Sequence, residues 1–205
     1  MRTKTLLLTA VLGVATAATT MADVFSVNVV GYVNKTMVTG FTLVANPLRA
    51  ATNTVSALFP NPPDLTAVYK FTGAGFSGNS FEFGAWGDPN QTFLPGEGFF
   101  VYNPGAPYTN TFVGEVSQGV LTNAVPTGFS LKGSIVPQAG LLQTTLGYVP
   151  GDLDAIYQYT QGSGYAGRSF EFGAWSQEPN IGVAEGFFLF NNSAAKNWVR
   201  TFTVN

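Results

Sequence analysis

The 205-residue chain contains no cysteine and no histidine. Without cysteine there can be neither a disulfide nor a lipid-anchored thiol, so stability has to come from packing. Without histidine the commonest metal ligand and the commonest general base are lost together, which weighs against zinc sites and hydrolase triads, and no cofactor or metal is expected. Charge is also scarce, at 10% of residues, and the lysines and arginines nowhere form a run. Neutralising phosphates requires clustered basic side chains, so nucleic acid is not an expected partner. Beyond the first twenty or so residues no segment carries a convincing helical period, and none is apolar for the roughly 20 residues a membrane-spanning helix needs.

The opening Met-Arg-Thr-Lys, the apolar stretch from Thr5 to about Ala18 and the small residues ending in Thr20-Met21-Ala22 have the layout of a secretory signal peptide. Cleavage is expected after Ala22, with Ala15-Thr16-Ala17 as the rival site, giving an exported protein that is periplasmic, on the cell surface or extracellular. Past that point seven basic and eleven acidic side chains remain, a net of −4.

What the chain does have is a duplication. The string Ser80-Phe81-Glu82-Phe83-Gly84-Ala85-Trp86 recurs unchanged as Ser169-Phe170-Glu171-Phe172-Gly173-Ala174-Trp175. Around it, Thr39-Gly40-Phe41 matches Thr127-Gly128-Phe129, Val68-Tyr69 matches Ile156-Tyr157, and Glu97-Gly98-Phe99-Phe100 matches Glu185-Gly186-Phe187-Phe188, all 88 positions apart. The register divides the chain into a signal peptide, 1–22, a first unit, 23–110, and a second, 111–205, whose Thr201-Phe202-Thr203-Val204 reads as a closing strand. A repeated unit buries its apolar faces the same way twice, so chemistry proposed in one half has to be explained in the other.

Short runs of β-branched and aromatic residues bounded by Gly, Pro and Asn read as strands: Val24–Val30, Phe41–Val44, Ala67–Phe71, Gly98–Tyr102. Thr52–Phe59 reads as a single helical turn stopped by Pro60 and Pro62-Pro63. Phe81 and Phe83 are expected to share one strand face with Glu82 on the other, whereas Phe99-Phe100-Val101-Tyr102 is apolar on both faces and belongs inside a sandwich. The expected class is all-β, two similar antiparallel units packed through apolar surface as a sandwich or an open-barrel-like pair. An outer-membrane barrel would need strands near ten residues, and these runs are shorter and interrupted by Pro and Gly.

The opening Phe25-Ser26-Val27-Asn28-Val29-Val30-Gly31-Tyr32-Val33-Asn34, with Gly40-Phe41-Thr42-Leu43-Val44-Ala45-Asn46-Pro47-Leu48 and Pro95-Gly96-Glu97-Gly98-Phe99-Phe100-Val101, resembles a family of short exported proteins typical of Verrucomicrobia-type bacteria. The resemblance covers essentially the whole chain after the signal peptide. It implies export and carries no catalytic or binding residue onto this sequence. The second half departs from the first at Ser134-Ile135-Val136-Pro137, where Asn46-Pro47 stood, and at Ala184-Glu185 in place of Gly96-Glu97.

The candidate ligand-binding residues are Trp86, Trp175, Tyr69, Tyr157, Glu82 and Glu171. The rings can stack on sugar faces or enter partner proteins, or they can anchor cores. Carboxylates beside aromatic platforms, as at Glu82 and Glu171, are what glycoside hydrolysis uses, yet an outward Glu on a half-buried strand has the simpler role of keeping that face soluble. Glu97 and Glu185, at turn-to-strand junctions, suit acceptance of hydrogen bonds from loop amides. Asp152 and Asp154, with Asp64 at the matching place, have a spacing that can begin a calcium loop, though a solvated turn explains it better. The expectation is a noncatalytic exported module, structural or adhesive, whose partners are envelope or matrix polymers or proteins. Carbohydrate binding through the repeated aromatic positions is the alternative, and a glycan-active enzyme using Glu82 or Glu97 the second alternative.

Overall fold

A computed structural model describes residues 29–204. The signal peptide and most of the first expected strand, Val24–Asn28, lie outside the described residues. The described residues are nearly all β, in antiparallel sheets of two similar units, and among them no barrel closes. In the first unit the elements are β1 (Val30–Met37), β2 (Gly40–Ala45), α1 (Val55–Leu58), β3 (Ala67–Phe71), β4 (Phe76–Glu82), β5 (Ala85–Trp86), β6 (Gly98–Asn103) and β7 (Tyr108–Glu115). The second contains β8 (Gly119–Val125), β9 (Gly128–Gly133), β10 (Gly140–Leu141), β11 (Ala155–Thr160), β12 (Gly164–Glu171), β13 (Ala174–Trp175), β14 (Asn180–Ile181), β15 (Gly186–Asn191) and β16 (Lys196–Phe202).

Each unit is built to one plan. A five-stranded sheet in the order β2-β6-β3-β4-β5 is matched by β9-β15-β11-β12-β13, and each is covered by a two-stranded ribbon, β1-β7 or β8-β16. The boundary read from the repeat, between 110 and 111, falls inside β7. Because β7 pairs along its whole length with β1, strand pairing carries the first unit to Glu115. The chain's last strand, β16, closes the second unit against β8 in the same way.

Each sheet and its ribbon enclose a separate core. Phe59, Phe81, Trp86, Phe93, Phe99 and Phe112 fill the first, and Leu142, Tyr148, Ile156, Phe187, Leu189 and Trp198 fill the second. On β6, Phe99 and Val101 point into the first core while Phe100 points the other way, into a third cluster with Leu43 and Leu131 that both units share. The expectation that this strand is covered on both faces is met.

The joint between the units is reciprocal. The Ala45 amide donates to the Ala184 carbonyl at 3.2 Å and the Gly133 amide to the Gly96 carbonyl at 3.1 Å, and Val44 bridges Glu185 as Lys132 bridges Glu97. Each pair is the other moved by the repeat, so two halves of one chain meet as the subunits of a two-fold dimer do. Glycine allows the approach, since a Cβ at Gly186 would lie 2.4 Å from the Val44 carbonyl oxygen. The divergent turn keeps its shape: Gly96 has φ 81° and Ala184 φ 52°.

Candidate functional site

Alternation along the strands sends one row of rings out of each sheet on the side away from its core. From the first unit these are Phe41, Tyr69, Phe71, Phe76 and Phe100; at the equivalent places in the second stand Phe129, Tyr157, Tyr159, Tyr165 and Phe188. The joint brings the rows together. Phe100 and Phe188 meet across the pseudo-two-fold axis with centroids 6.3 Å apart. Phe71 packs edge-on to Phe188 at 5.4 Å and Tyr159 edge-on to Phe100 at 5.3 Å, the same contact made twice. Gly78 and Gly167 sit under this surface: a Cβ at either would be 3.2 Å from the ring of Tyr69 or Tyr157, so a bare strand position lets each ring lie across it.

Two hollows result. One, of about 450 Å³, is lined by Phe41, Tyr69, Phe76 and Phe100 with Tyr159 and Tyr165 of the second unit. The other, of about 520 Å³, is lined by Phe71 of the first unit with Phe129, Tyr157, Tyr165 and Phe188. Both volumes are in the range of small-ligand pockets. Neither unit makes either hollow alone, and among the described residues no charged side chain lines them. Gln161 ties the units at the rim, its Oε1 accepting the Phe41 amide at 2.9 Å and the Tyr159 hydroxyl at 2.8 Å. Burial, with Tyr159 adding to it, pushes the Tyr165 phenol up.

The structure separates the six sequence candidates. Tyr69 and Tyr157 line the hollows. Trp86 is buried in the first core, its indole donating to the Phe59 carbonyl at 3.0 Å. Trp175 is half-buried at the edge of the second core and donates to Gln143 Oε1 at 3.0 Å. The two rings therefore do not behave alike, and neither lines the hollows. Glu82 and Glu171 are exposed, each the last residue of its strand before a hairpin turn.

The other carboxylates have structural engagements. Glu97 accepts the Leu94 amide at 3.0 Å and pairs with Lys70 at 2.8 Å; Glu185 accepts the Gly182 amide at 2.7 Å. Both fill the loop-amide role expected of them. In the Asp152–Asp154 segment Asp152 and Leu153 are exposed, as a solvated turn would have them, but Asp154 is not. Asp154 is fully buried and accepts from the Tyr148 hydroxyl at 2.6 Å, the Gly151 amide at 2.8 Å, the Asn192 amide at 3.1 Å and Lys196 at 2.5 Å. Burial pushes its carboxyl up, but Lys196, Tyr148 and the two amides outweigh it, so it titrates below the usual aspartate range. Among the described residues no group of three or more acidic side chains could hold a metal ion.

Asp152 and Asp64 hold something else. Asp64 Oδ1 accepts the Phe83 amide at 2.9 Å and Asp152 Oδ1 the Phe172 amide at 3.0 Å. These amides belong to two-residue turns, since Glu82 pairs with Ala85 and Glu171 with Ala174. Phe83 has φ 54° and Phe172 φ 53°, each followed by a left-handed glycine, the mirror-type turn that normally takes Asn-Gly. Phe83 therefore does not share a strand face with Phe81. Phe81 is buried, while Phe83 and Phe172 stand 97% and 98% exposed on the hairpin tips. A left-handed conformation costs a bulky residue about 1–2 kcal/mol, and here no packing offsets it. The two-residue loop closed by Gly84 or Gly173 was the sequence signal for these tips.

The fold and the site define an all-β protein of two identically wound units, with paired aromatic hollows at their joint and two bare phenyl rings on its hairpins. No protein-family model, curated protein or solved structure matches the chain.

Proposed function

We propose that the protein is a noncatalytic exported β-module, a structural or adhesive component of the cell envelope or extracellular matrix, which engages its partner through the aromatic face at the joint. The observation that carries this reading is the pair of ring-lined hollows built jointly by both units and free of charged side chains. Export rests on the signal-peptide layout, and kinship with the exported proteins of Verrucomicrobia-type bacteria on the Phe25–Asn34 opening. Carbohydrate binding is the second reading, favoured by the position of Tyr69 and Tyr157. Against it, sugars need hydrogen-bond partners for their hydroxyls, and among the described residues lining the hollows the polar side-chain groups are phenols alone. The rings also stand tilted or edge-on to one another instead of forming a flat platform. For the glycan-active alternative, Glu97 is occupied by Lys70 and a loop amide, and Glu82 lies at a hairpin turn.

Fractionation of host cells, run beside a glycan array with the wild type and Tyr69→Ala/Tyr157→Ala, tests the reading. The expected result is protein in the envelope or matrix fraction with no retained glycan. A freely periplasmic protein overturns the structural role. Retention of a defined glycan, lost by tenfold or more in a double variant that melts normally, moves carbohydrate binding to first place.

A further inference from the structure

We propose that the occupant of the aromatic hollows is a hairpin tip of a second copy, Phe83 or Phe172, so that chains join head to tail. The proposal rests on the adhesive reading above and names its partner. Among the described residues nothing packs on the tips. Glycine or asparagine would sit in these left-handed turns without strain, yet both units place a phenyl ring there, 97% and 98% exposed. An aspartate anchors each turn through the very amide of its Phe, so the ring is presented on a fixed support. Numbers and chemistry match on the other side: two apolar tips face two apolar hollows, and a molecule's own bare tips do not fill its own hollows.

Charge points to a protein receptor over a bilayer. Each ring has two carboxylates beside it, Glu82 or Glu171 on its own hairpin and the anchoring Asp64 or Asp152 on the loop that leads into β3 or β11, and anionic headgroups repel them. By contrast, Phe71 and Phe129 of the second hollow also border a cleft that carries Lys70 and Lys132 against Glu97, one positive charge in excess. Tip and hollow are different surfaces, so the contact is heterologous and propagates as an open chain unless its rotation happens to close. A single phenyl buries at most about 250 Å², well short of the ~1,000 Å² of a stable interface. Each link is therefore weak, and assembly requires high local concentration and more than one link per chain.

Sedimentation velocity over a concentration series tests this with the mature chain, a tip variant, Phe83→Ser/Phe172→Ser, and a hollow variant, Phe76→Glu/Tyr165→Glu. Phe76 and Tyr165 are 49% and 52% exposed, so carboxylates there should leave the fold intact while repelling acidic tips. Should that pair melt early, Phe41→Glu/Phe129→Glu at the opposite rims replaces it. The wild type is expected to grow with concentration. Each variant alone should need at least tenfold more protein for half-assembly, and the equimolar mixture, which joins tips from one chain to hollows of the other, should recover it. A wild type that stays monomeric at millimolar concentration, or variants that assemble as it does, overturn the proposal. So does a monomeric wild type that co-sediments with phosphatidylcholine vesicles only when Phe83 and Phe172 are present, which assigns the tips to lipid. Failure to assemble with envelope location intact removes this inference alone, whereas a freely periplasmic location removes the adhesive reading whatever the assembly state.

Discussion

Asp154 and Thr66 occupy the same place in the two units, as do Lys196 and Tyr108. The second unit thus pairs a buried carboxylate with a half-buried lysine where the first has two neutral hydroxyl groups, with Tyr108 pushed up to about 12 by burial against an opposing effect of Thr66. The Asp154 carboxylate titrates below its unfolded value, so its stabilisation is complete above about pH 4 and is lost as pH falls through the folded pKa. Asp154→Asn keeps the shape but leaves Lys196 without a counter-charge, and a cost of about 3–5 kcal/mol at pH 7 is expected. Urea melts between pH 2.5 and 7 check both points: wild-type stability should fall steeply below pH 4, and the variant's curve should be flatter there. Little of this was legible. Gly151-Asp152-Leu153-Asp154 reads as an acidic loop, and only the packing of the nearby Tyr148 and of Lys196, 42 residues on, makes one of its two carboxylates a buried hub.

At the level of elements, the two copies of the repeated hairpin have identical sequences and different surroundings. Trp86 packs edge-on to Phe59 at 6.4 Å and to Phe81 at 5.5 Å. In the second unit the place of Phe59 is taken by Gly147, so Trp175 keeps its contact with Phe170, 5.4 Å away, but has no second ring. Trp86→Ala should therefore cost about 3–5 kcal/mol, as large buried aromatics do, and Trp175→Ala only about 1–2 kcal/mol. Equal losses in urea melts would mean that the two environments are energetically alike. A similar exchange occurs on the ribbons. Asn110 donates to the Leu58 carbonyl at 3.1 Å, and Trp198, its counterpart, donates to the Leu146 carbonyl at 2.8 Å. The same buried carbonyl, at the end of α1 in the first unit and in a hydrogen-bonded turn in the second, is satisfied by chemically unrelated side chains.

The whole molecule depends on its joint, where at Val44 and Gly186 the two backbones touch with no side chain between them. Gly186→Val places atoms where the Val44 carbonyl already is, 2.4 Å from the Cβ position. Overpacking of this kind costs roughly 1–3 kcal/mol or more. Because each unit has its own core, the strain should fall on the joint. Calorimetry is expected to show one transition for the wild type, and for Gly186→Val a calorimetric enthalpy exceeding the van't Hoff value as the units begin to melt separately. The same variant should open both aromatic hollows, since each draws rings from both units. A single unchanged transition would show that the joint contributes little to cooperativity.

The duplication, the all-β class, the single helical turn before Pro60 and the doubly covered Phe99–Tyr102 strand could be read from the sequence because they depend on local pattern: period-two alternation, turn residues and an identical string repeated. The left-handed tips were also local, but the Phe81-Glu82-Phe83 alternation masked the two-residue loop closed by Gly84. Tertiary structure alone decided which rings became core and which became surface. Alternation assigns a residue to one of two faces without saying what covers that face, and here one face of each sheet is covered by its own ribbon while the other meets the second unit off-centre. That offset leaves Tyr69 and Tyr157 lining two hollows, while Trp86 is buried in the first core on the ribbon-covered side, a division that no spacing within either repeat encodes.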